Sequence, residues 1–507
     1  MVRSSGILLH PTALPGSPVC GTFGEPSRNW LKKLASSGIG VWQFLPLSPS
    51  DSSGSPYSSP SSFALNPFLL DVEDLIEDGF LPKSVLNDSP GAAEVNNSKV
   101  DFNLAESRSE RIGYLLRVNW SGQKKEKKNE FDNWTKKQFW LDDFIIFMQL
   151  RRQFQGRPWW EWPENLSCRR SRQIRRWKAQ NKNKLLEHAL IQWHLYRQLK
   201  AIKKLAKSLG IILFGDLPFY VARDSADVWS NRLLFSILKG GALLKQSGVP
   251  PDYFSSTGQL WGTPIYQWWM HRITRFRWWR KRFIHQINNV DLLRLDHFRA
   301  LESYWSVPGE DATAENGSWK QSPGHSLLTH FRSDLNGRLP IIAEDLGVIT
   351  KAVEDLRDSF SLPGMKILQF AFDGDENNLY LPENIKDTNC IAYTGTHDNP
   401  TSIEWWDHAD EFTRNEVFKR SVADFDSPSW HLIDLGLSCK AKLFITPLQD
   451  LLCLGSEARF NKPGTSSGNW DWRITASNYS LEYSLHHYGQ RSLFWGRTFE
   501  AASSIVC

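Results

Sequence analysis

Eight short apolar runs, each closing on polar or turn residues, constrain this chain more than any other feature. They are "GILLH" (6–10), "VWQFLPL" (41–47), "IILFGD" (211–216), "VDLLRLD" (290–296), "PIIAED" (340–345), "MKILQFAF" (365–372), "CIAYTGTHD" (390–398) and "KLFITPLQD" (442–450). Runs that are apolar on both faces suit parallel strands covered by helices better than half-exposed hairpins. Helix-like segments precede several of them, as at 185–209 and 350–360. Eight such strands with helical crossovers predict an α/β fold, a (β/α)8 TIM barrel, although an open doubly wound sheet reads similarly.

The connections are unequal. About 160 residues separate the second run from the third and about 70 the third from the fourth, too long for structureless loops. We expect a single catalytic barrel over 1–507 with inserted subdomains after strands 2 and 3. The first, over 50–200, is largely helical; the second, over 217–289, carries a loop at 248–268. Residues 82–132 are polar, with a charged "QKKEKKNE" stretch, and predict a flexible outer part.

A chain of 507 residues with 41% hydrophobic content suits a globular protein with a sizeable core. No apolar run approaches the ~20 residues of a membrane span. Net charge is only +5, so the whole chain is not an electrostatic nucleic-acid binder. Between 151 and 207, however, sixteen Lys/Arg face three acids, and 272–282 forms a second basic cluster. The plainer reading is a solvated helix face; a polyanion site is the minority one. Six scattered cysteines (Cys20, Cys168, Cys390, Cys439, Cys453 and Cys507) have no C-x-x-C spacing and suggest neither zinc nor a disulfide framework. Strand-like "SGILLH" directly after Met1-Val2-Arg3 leaves no room for a leader, and the expectation is a cytoplasmic protein. Twenty-four tryptophans exceed ordinary usage; part must be core, and flat rings also line sugar clefts.

Four runs end in acids: Asp216, Asp296, Glu344-Asp345 and Asp398. In a parallel barrel the carboxyl ends of the strands meet on one face. Arg294 and Asp296, two apart on a strand, point to the same side, where the arginine can hold the carboxylate ionised. A held carboxylate beside a protonated one is the equipment of glycoside chemistry. His297 and His397 adjoin these acids and add donors for sugar hydroxyls. Taken singly, each acid has a plainer reading as an ion pair, a helix start or a turn. Spacing does not decide which of Glu344 and Asp345 points inward. "GVPPDYFSSTGQLWGTPIYQW" (248–268) reads as a packed loop or as a lid with Tyr253, Phe254 and Trp261 as sugar platforms; "GSPYSSPSSFALNP" (54–67) places Tyr57 beyond the second strand.

The ordered set "SGILLHPTALPG", "WQFLPLSP", "SPYSSPSSFALNP", "GDLPFYVARDSADVW", "GVPPDYFSSTGQLWG", "RLDHFR", "AEDLG", "LPGMKILQFAFDG", "YTGTHDN" and "PGTSSGNWDWR" closely resembles the 4-alpha-glucanotransferase (amylomaltase) family, glycoside hydrolase family 77 of the alpha-amylase clan. The resemblance implies a nucleophile at Asp296, a general acid/base at Glu344 and a third, sugar-distorting acid at Asp398. It further implies that Arg294, His397 and Asp216 line the same site, with His297 beside them. Tyr57 would stack on the donor sugar, and Asp252, Tyr253, Phe254 and Trp261 would form the acceptor-side loop. The implied partners are α-1,4-glucan donors and acceptors, with no metal or organic cofactor needed; charge and composition, for their part, point to no membrane partner and disfavour nucleic acid. The implied reaction is a retaining double displacement. The rivals are an alpha-amylase-type hydrolase and a non-catalytic glucan-binding protein. Thr263, Ala300 and Arg232-Leu233 depart from the usual family wording.

Overall fold

The structure is a computed structural model describing residues 3–17, 19–51, 53–86, 98–251, 255–422, 425–475 and 480–505. Among the described residues the strands are β1 (Ser4–Leu8), β2 (Val41–Gln43), β3 (Ile212–Leu217), β4 (Lys245–Val249), β5 (Gln259–Pro264), β6 (Leu292–Leu295), β7 (Ser303–Pro308), β8 (Ser318–Gln321), β9 (Ile341–Ala343), β10 (Gly364–Ile367), β11 (Cys390–Tyr393) and β12 (Leu443–Pro447). Eight of them form one parallel sheet in the order β10-β11-β12-β1-β2-β3-β6-β9, and each corresponds to one of the eight apolar runs. Strand residues such as Ile7, Val41, Leu213, Leu293, Ile342 and Phe444 are at most 1% exposed, because a barrel strand meets side chains inside and helices outside.

The ends of the sheet meet at a polar seam. Ala343 N–H donates to the Pro363 carbonyl at 2.8 Å, and Met365 N–H donates to Asp345 Oδ1 at 2.7 Å. Arg357 pairs with the same Asp345 carboxylate. Gly364 makes room for that carboxylate, since a Cβ there would lie 2.3 Å from Asp345 Oδ2. The second acid of "AED" therefore joins β9 to β10 and closes the (β/α)8 barrel.

Between β2 and β3 the chain forms helices Phe102–Trp120, Lys125–Lys137, Leu141–Gln153 and Ser171–Gln180 before the 27-residue helix Lys182–Ser208 leads back into the barrel. The charged stretch expected to be flexible is helical instead. Asp101 caps the first helix by accepting from Leu104 N–H at 2.9 Å, and Phe131 and Trp120 pack edge-on at 5.2 Å. A few apolar residues at helical spacing are enough to dock a helix whose other face is solvated. Residues 87–97 lie outside the described residues.

The stretch 248–268 differs from the expected loop. It carries β5 and the end of β4, which pair antiparallel and join β7 and β8 in a second sheet, ordered β5-β4-β7-β8. The partner strands come from the connection after β6, so no local pattern near residue 260 announces them. Among the described residues no helix is long and apolar enough to cross a membrane.

Helix packing on the barrel is tight enough to reverse a propensity rule. Gly436 lies in the helix Pro428–Ser438, where alanine would ordinarily gain about 1 kcal/mol. A Cβ at this position would sit 2.0 Å from the Phe444 ring. Gly436→Ala is expected to lower stability by about 1–3 kcal/mol, as overpacked cores do, measured by denaturant unfolding; a variant as stable as the parent would contradict this packing.

Candidate active site

The barrel register brings the acids together. In the β3–β6 ladder Asp216 is paired with Arg294, and one residue beyond β6 stands Asp296, whose N–H donates to the Leu217 carbonyl at 3.0 Å. Arg294 is buried and lies between two carboxylates: Nη1 to Asp216 Oδ2 at 2.7 Å and Nη2 to Asp296 Oδ1 at 2.9 Å. Burial works against the guanidinium charge, but Asp216, Asp296, Tyr57 and Glu344 outweigh it and hold Arg294 firmly protonated. Asp216 is itself buried, and desolvation pushes its carboxyl up against the pull of Arg294. Asp296 keeps more contact with solvent, its side chain 29% exposed against 1% for Asp216. The better-solvated acid is the one able to meet a substrate.

Glu344 follows β9 directly, and its N–H donates to the Leu295 carbonyl at 3.1 Å. Its Oε2 accepts from His297 N–H at 2.7 Å and its Oε1 from Leu346 N–H at 3.1 Å. Burial nevertheless pushes the carboxyl up to about 7; Asp296 adds to this, while Arg294 and the two backbone donors oppose it. His297 is in the left-handed region (φ 51), which turns its N–H toward Glu344. A bulky non-glycine residue there stores strain of a kind that collects at functional sites. Burial lowers the His297 imidazole to about 4, leaving it neutral at neutral pH. Glu344 thus enters the site and Asp345 the barrel seam, an alternative that spacing left open.

Asp398 lies five residues past β11 on a loop pinned from below. Buried Asp450 accepts from Thr394 Oγ1 at 2.6 Å and from Ser402 N–H at 2.7 Å, fixing both ends of the loop. Asn461 Nδ2 donates to Asp398 Oδ1 at 2.6 Å, His397 Nε2 lies 3.3 Å from Oδ2, and Arg459 Nη2 donates to the Asp398 carbonyl at 3.0 Å. The carboxylate is 46% exposed, the most open of the three.

Tyr57 joins the two sides. Its hydroxyl donates to Asp216 Oδ2 at 2.8 Å, and its ring stacks on His397 at 5.1 Å with 8° between the planes. Burial, with Asp216 next, raises the phenol well above its ordinary value, so it remains a donor. Trp261, on β5, is 37% exposed and meets the His297 ring edge-on at 4.8 Å. Asp252, Tyr253 and Phe254 lie outside the described residues. Thr263 pairs with Ser247 through their hydroxyls at 2.5 Å, and Ala300 is fully buried.

Sequence reasoning missed several groups at this site. Asn461, Arg459 and Trp470, whose ring lies 5.8 Å from Tyr57, come from the C-terminal part and carry no local mark of what they touch. Beyond Asp398, a cavity of about 660 Å³ is lined by Gln369, Phe370, Trp405 and Lys462. Chemically, the arrangement offers a carboxylate ion-paired with a buried guanidinium, a carboxyl pushed up to about 7 and an open third acid. Two neighbouring acids in such unlike environments can divide the nucleophilic and acid/base roles between them.

Comparisons with known proteins agree in kind. The profile described as 4-alpha-glucanotransferase matches residues 9–478. A 4-alpha-glucanotransferase of Synechocystis sp. is 42% identical over 499 residues, covering 96% of this chain and 98% of that one. That of Thermus thermophilus is 39% identical over 491 residues, covering 95% and 96%. The solved amylomaltase from Streptococcus agalactiae in complex with acarbose superposes with a TM-score of 0.93 at 31% identity, over 98% of this chain and 100% of that one. By sequence along almost its whole length, and by fold, the chain belongs to the 4-alpha-glucanotransferase family.

Proposed function

We propose that this protein transfers segments of α-1,4-glucans to the 4-hydroxyl of an acceptor glucan or glucose, by a retaining double displacement. Residues 1–507 act as one catalytic barrel, with insertions at 50–200 and 217–289 shaping its cleft. The observation that carries the reading is the divided environment of two neighbouring acids: Asp296 ion-paired with Arg294, and Glu344 pushed up to about 7 by burial.

Asp296 attacks the anomeric carbon while Glu344 gives its proton to the departing oxygen, leaving a covalent glycosyl-enzyme and a free chain end. Glu344, now ionised, takes the proton from the incoming 4-hydroxyl, whose oxygen displaces Asp296. Arg294 stays paired with Asp296 Oδ1 and fixes the carboxylate for attack. Asp398, held by Asn461, accepts hydrogen bonds from the ring hydroxyls of the donor sugar and favours the distorted ring. His397 and His297 add polar contacts. Asp216 and Tyr57 position the Arg294 side and the sugar face respectively. The 248–268 segment, with Asp252, Tyr253, Phe254 and Trp261, covers the acceptor side and favours sugar over water. The longer glucan chain follows the aromatic-lined cavity beyond Asp398. Five described cysteines are unpaired, which suits a reducing, cytoplasmic setting.

Three outcomes are expected. Incubated with maltotriose, the protein yields glucose together with longer maltodextrins, and Asp296→Asn loses at least about a thousandfold in rate, read by chromatography of products; glucose and maltose alone would make it a hydrolase. Trp261→Ala raises the share of free glucose formed by hydrolysis relative to transfer, and an unchanged ratio would remove that ring from the acceptor side. Because the folded-state pKa of Glu344 is raised, its protonated form is lost as pH climbs through about 7, so transfer falls about tenfold per unit above that. By linkage the raised pKa lowers stability progressively as pH climbs from the ordinary value of 4.5 to about 7, and the full loss is present above that. Glu344→Gln should therefore raise the melting temperature more at pH 8 than at pH 5, and an equal shift at both would contradict the raised pKa.

A further inference from the structure

The two basic clusters flagged in the sequence, and the Arg232-Leu233 departure from family wording, find no use in glucan transfer. They converge on one place. A cavity of about 620 Å³ opens between the helical insertion after β2 and the segments that follow β3. Its lining includes Arg169 from the first basic cluster, Arg277 and Lys281 from the second, and Arg232. Its walls are aromatic, with Phe139, Trp140 and Trp278 among them, and two carboxylates, Asp143 and Asp227, face in. Apart from its edge at Ser61 and Phe63, it shares no lining with the catalytic groups.

The charges do not cancel. Arg169 is paired with Asp143 and also lies 4.8 Å over the Trp229 ring. Burial raises Asp227 to about 6, and its Oδ2 is taken by Ser62 N–H at 2.8 Å. Arg277 and Lys281 make no ion pair among the described residues, and burial, with Arg277 next, lowers the Lys281 ammonium. Lys281 Nζ lies 4.0 Å over the Phe139 ring. Arg232 donates to the Lys239 carbonyl at 3.3 Å and lies 4.5 Å over the Trp159 ring, yet its Nη2 is buried with no hydrogen-bond partner among the described residues. A buried guanidinium N–H without an acceptor is costly, and neighbouring cations repel; one anion relieves both. Flat rings suit the C–H faces of a pyranose, and carboxylate oxygens suit its hydroxyls.

We propose that this cavity is a second ligand site, distinct from the catalytic cleft, that binds a phosphorylated monosaccharide. Arg232, Arg277 and Lys281 hold the phosphoryl group; the ring lies against the aromatic wall, with its hydroxyls toward Asp143 and Asp227. The size fits, since small-molecule pockets run from ~300 to ~1,000 Å³. The site has a route to the catalytic groups: Asp227 holds Ser62 on the 54–67 loop, and that loop carries Tyr57. A ligand that engages Asp227 therefore bears on the position of Tyr57, which sets the expected effect on transfer.

Calorimetry of the full chain with glucose 6-phosphate, glucose 1-phosphate, inorganic phosphate, glucose and AMP tests the proposal. Binding of one of the two sugar phosphates is expected, weakened at least about tenfold in the Arg232→Ala/Lys281→Ala double variant, which keeps its maltotriose activity in the absence of sugar phosphate. In the unaltered protein the same sugar phosphate should slow alkylation of Cys168, which lines the cavity with its Sγ 3.9 Å from Arg232 Nη1. Inorganic phosphate binding as tightly as the sugar phosphates would reduce the site to a simple anion site and overturn the sugar. Tighter binding of AMP would replace it by a nucleotide. Binding that persists in the double variant, or no protection of Cys168, would place the ligand elsewhere and overturn the site. Loss of maltotriose transfer alone would count against the parent reading of the catalytic cleft and leave this test intact.

Discussion

The site depends on one buried cation. Arg294 stands on β6 with almost no contact with water, and its guanidinium is divided between Asp216 in the adjacent strand and Asp296 at its own strand end. Removing either partner from such a network leaves an uncompensated charge in a poor dielectric, a loss of about 3–5 kcal/mol. Strand register, not loop geometry, therefore fixes where Asp296 lies. The same cation bears on Glu344 and Tyr57, so the electrostatics of the pocket answer to a single side chain.

Around that cation the structure gives three carboxyl groups three environments. Asp216 is sealed in and bonded by Tyr57; Asp296 is paired but reachable; Glu344 is desolvated enough for its proton to persist near neutrality despite two backbone donors. Desolvation outweighing hydrogen bonds at Glu344 destabilises the folded state at higher pH, a familiar exchange of stability for function. The left-handed backbone at His297 belongs to the same account, since it turns the N–H that Glu344 receives.

The insertions extend this polarity outward. One side of the cleft is built from aromatic rings on β5 and the 54–67 loop, the other from the Asp398 loop that Asp450 pins at both ends. Cations gathered from segments far apart in the chain line a separate cavity whose wall is shared with the Tyr57 loop. A basic composition that reads as solvated helix surface along the chain becomes a local field only after folding.

The eight barrel strands were legible because a strand buried on both faces must be apolar on both, and that is written in consecutive residues. The pairing of Arg294 with Asp296 was legible for a similar reason, since a spacing of two fixes a shared face. Other features were not. Whether Glu344 or Asp345 faced the cleft was decided by the β9–β10 seam, where Gly364 and Arg357 receive Asp345. The stretch near residue 260 became strand because β7 arrived beside β4 from 61 residues further on, as in the pairing of Gln246 with Val307. Asn461 came to hold Asp398, and Tyr57 to stack on His397, through contacts with no trace in local pattern. Alternation and apolar runs are properties of neighbours in sequence, so the barrel and its supply of acids could be read along the chain. Desolvation, register and charge balance depend on what arrives from elsewhere, so which acid is poised, which is sealed and where the surplus cations meet emerged only with folding.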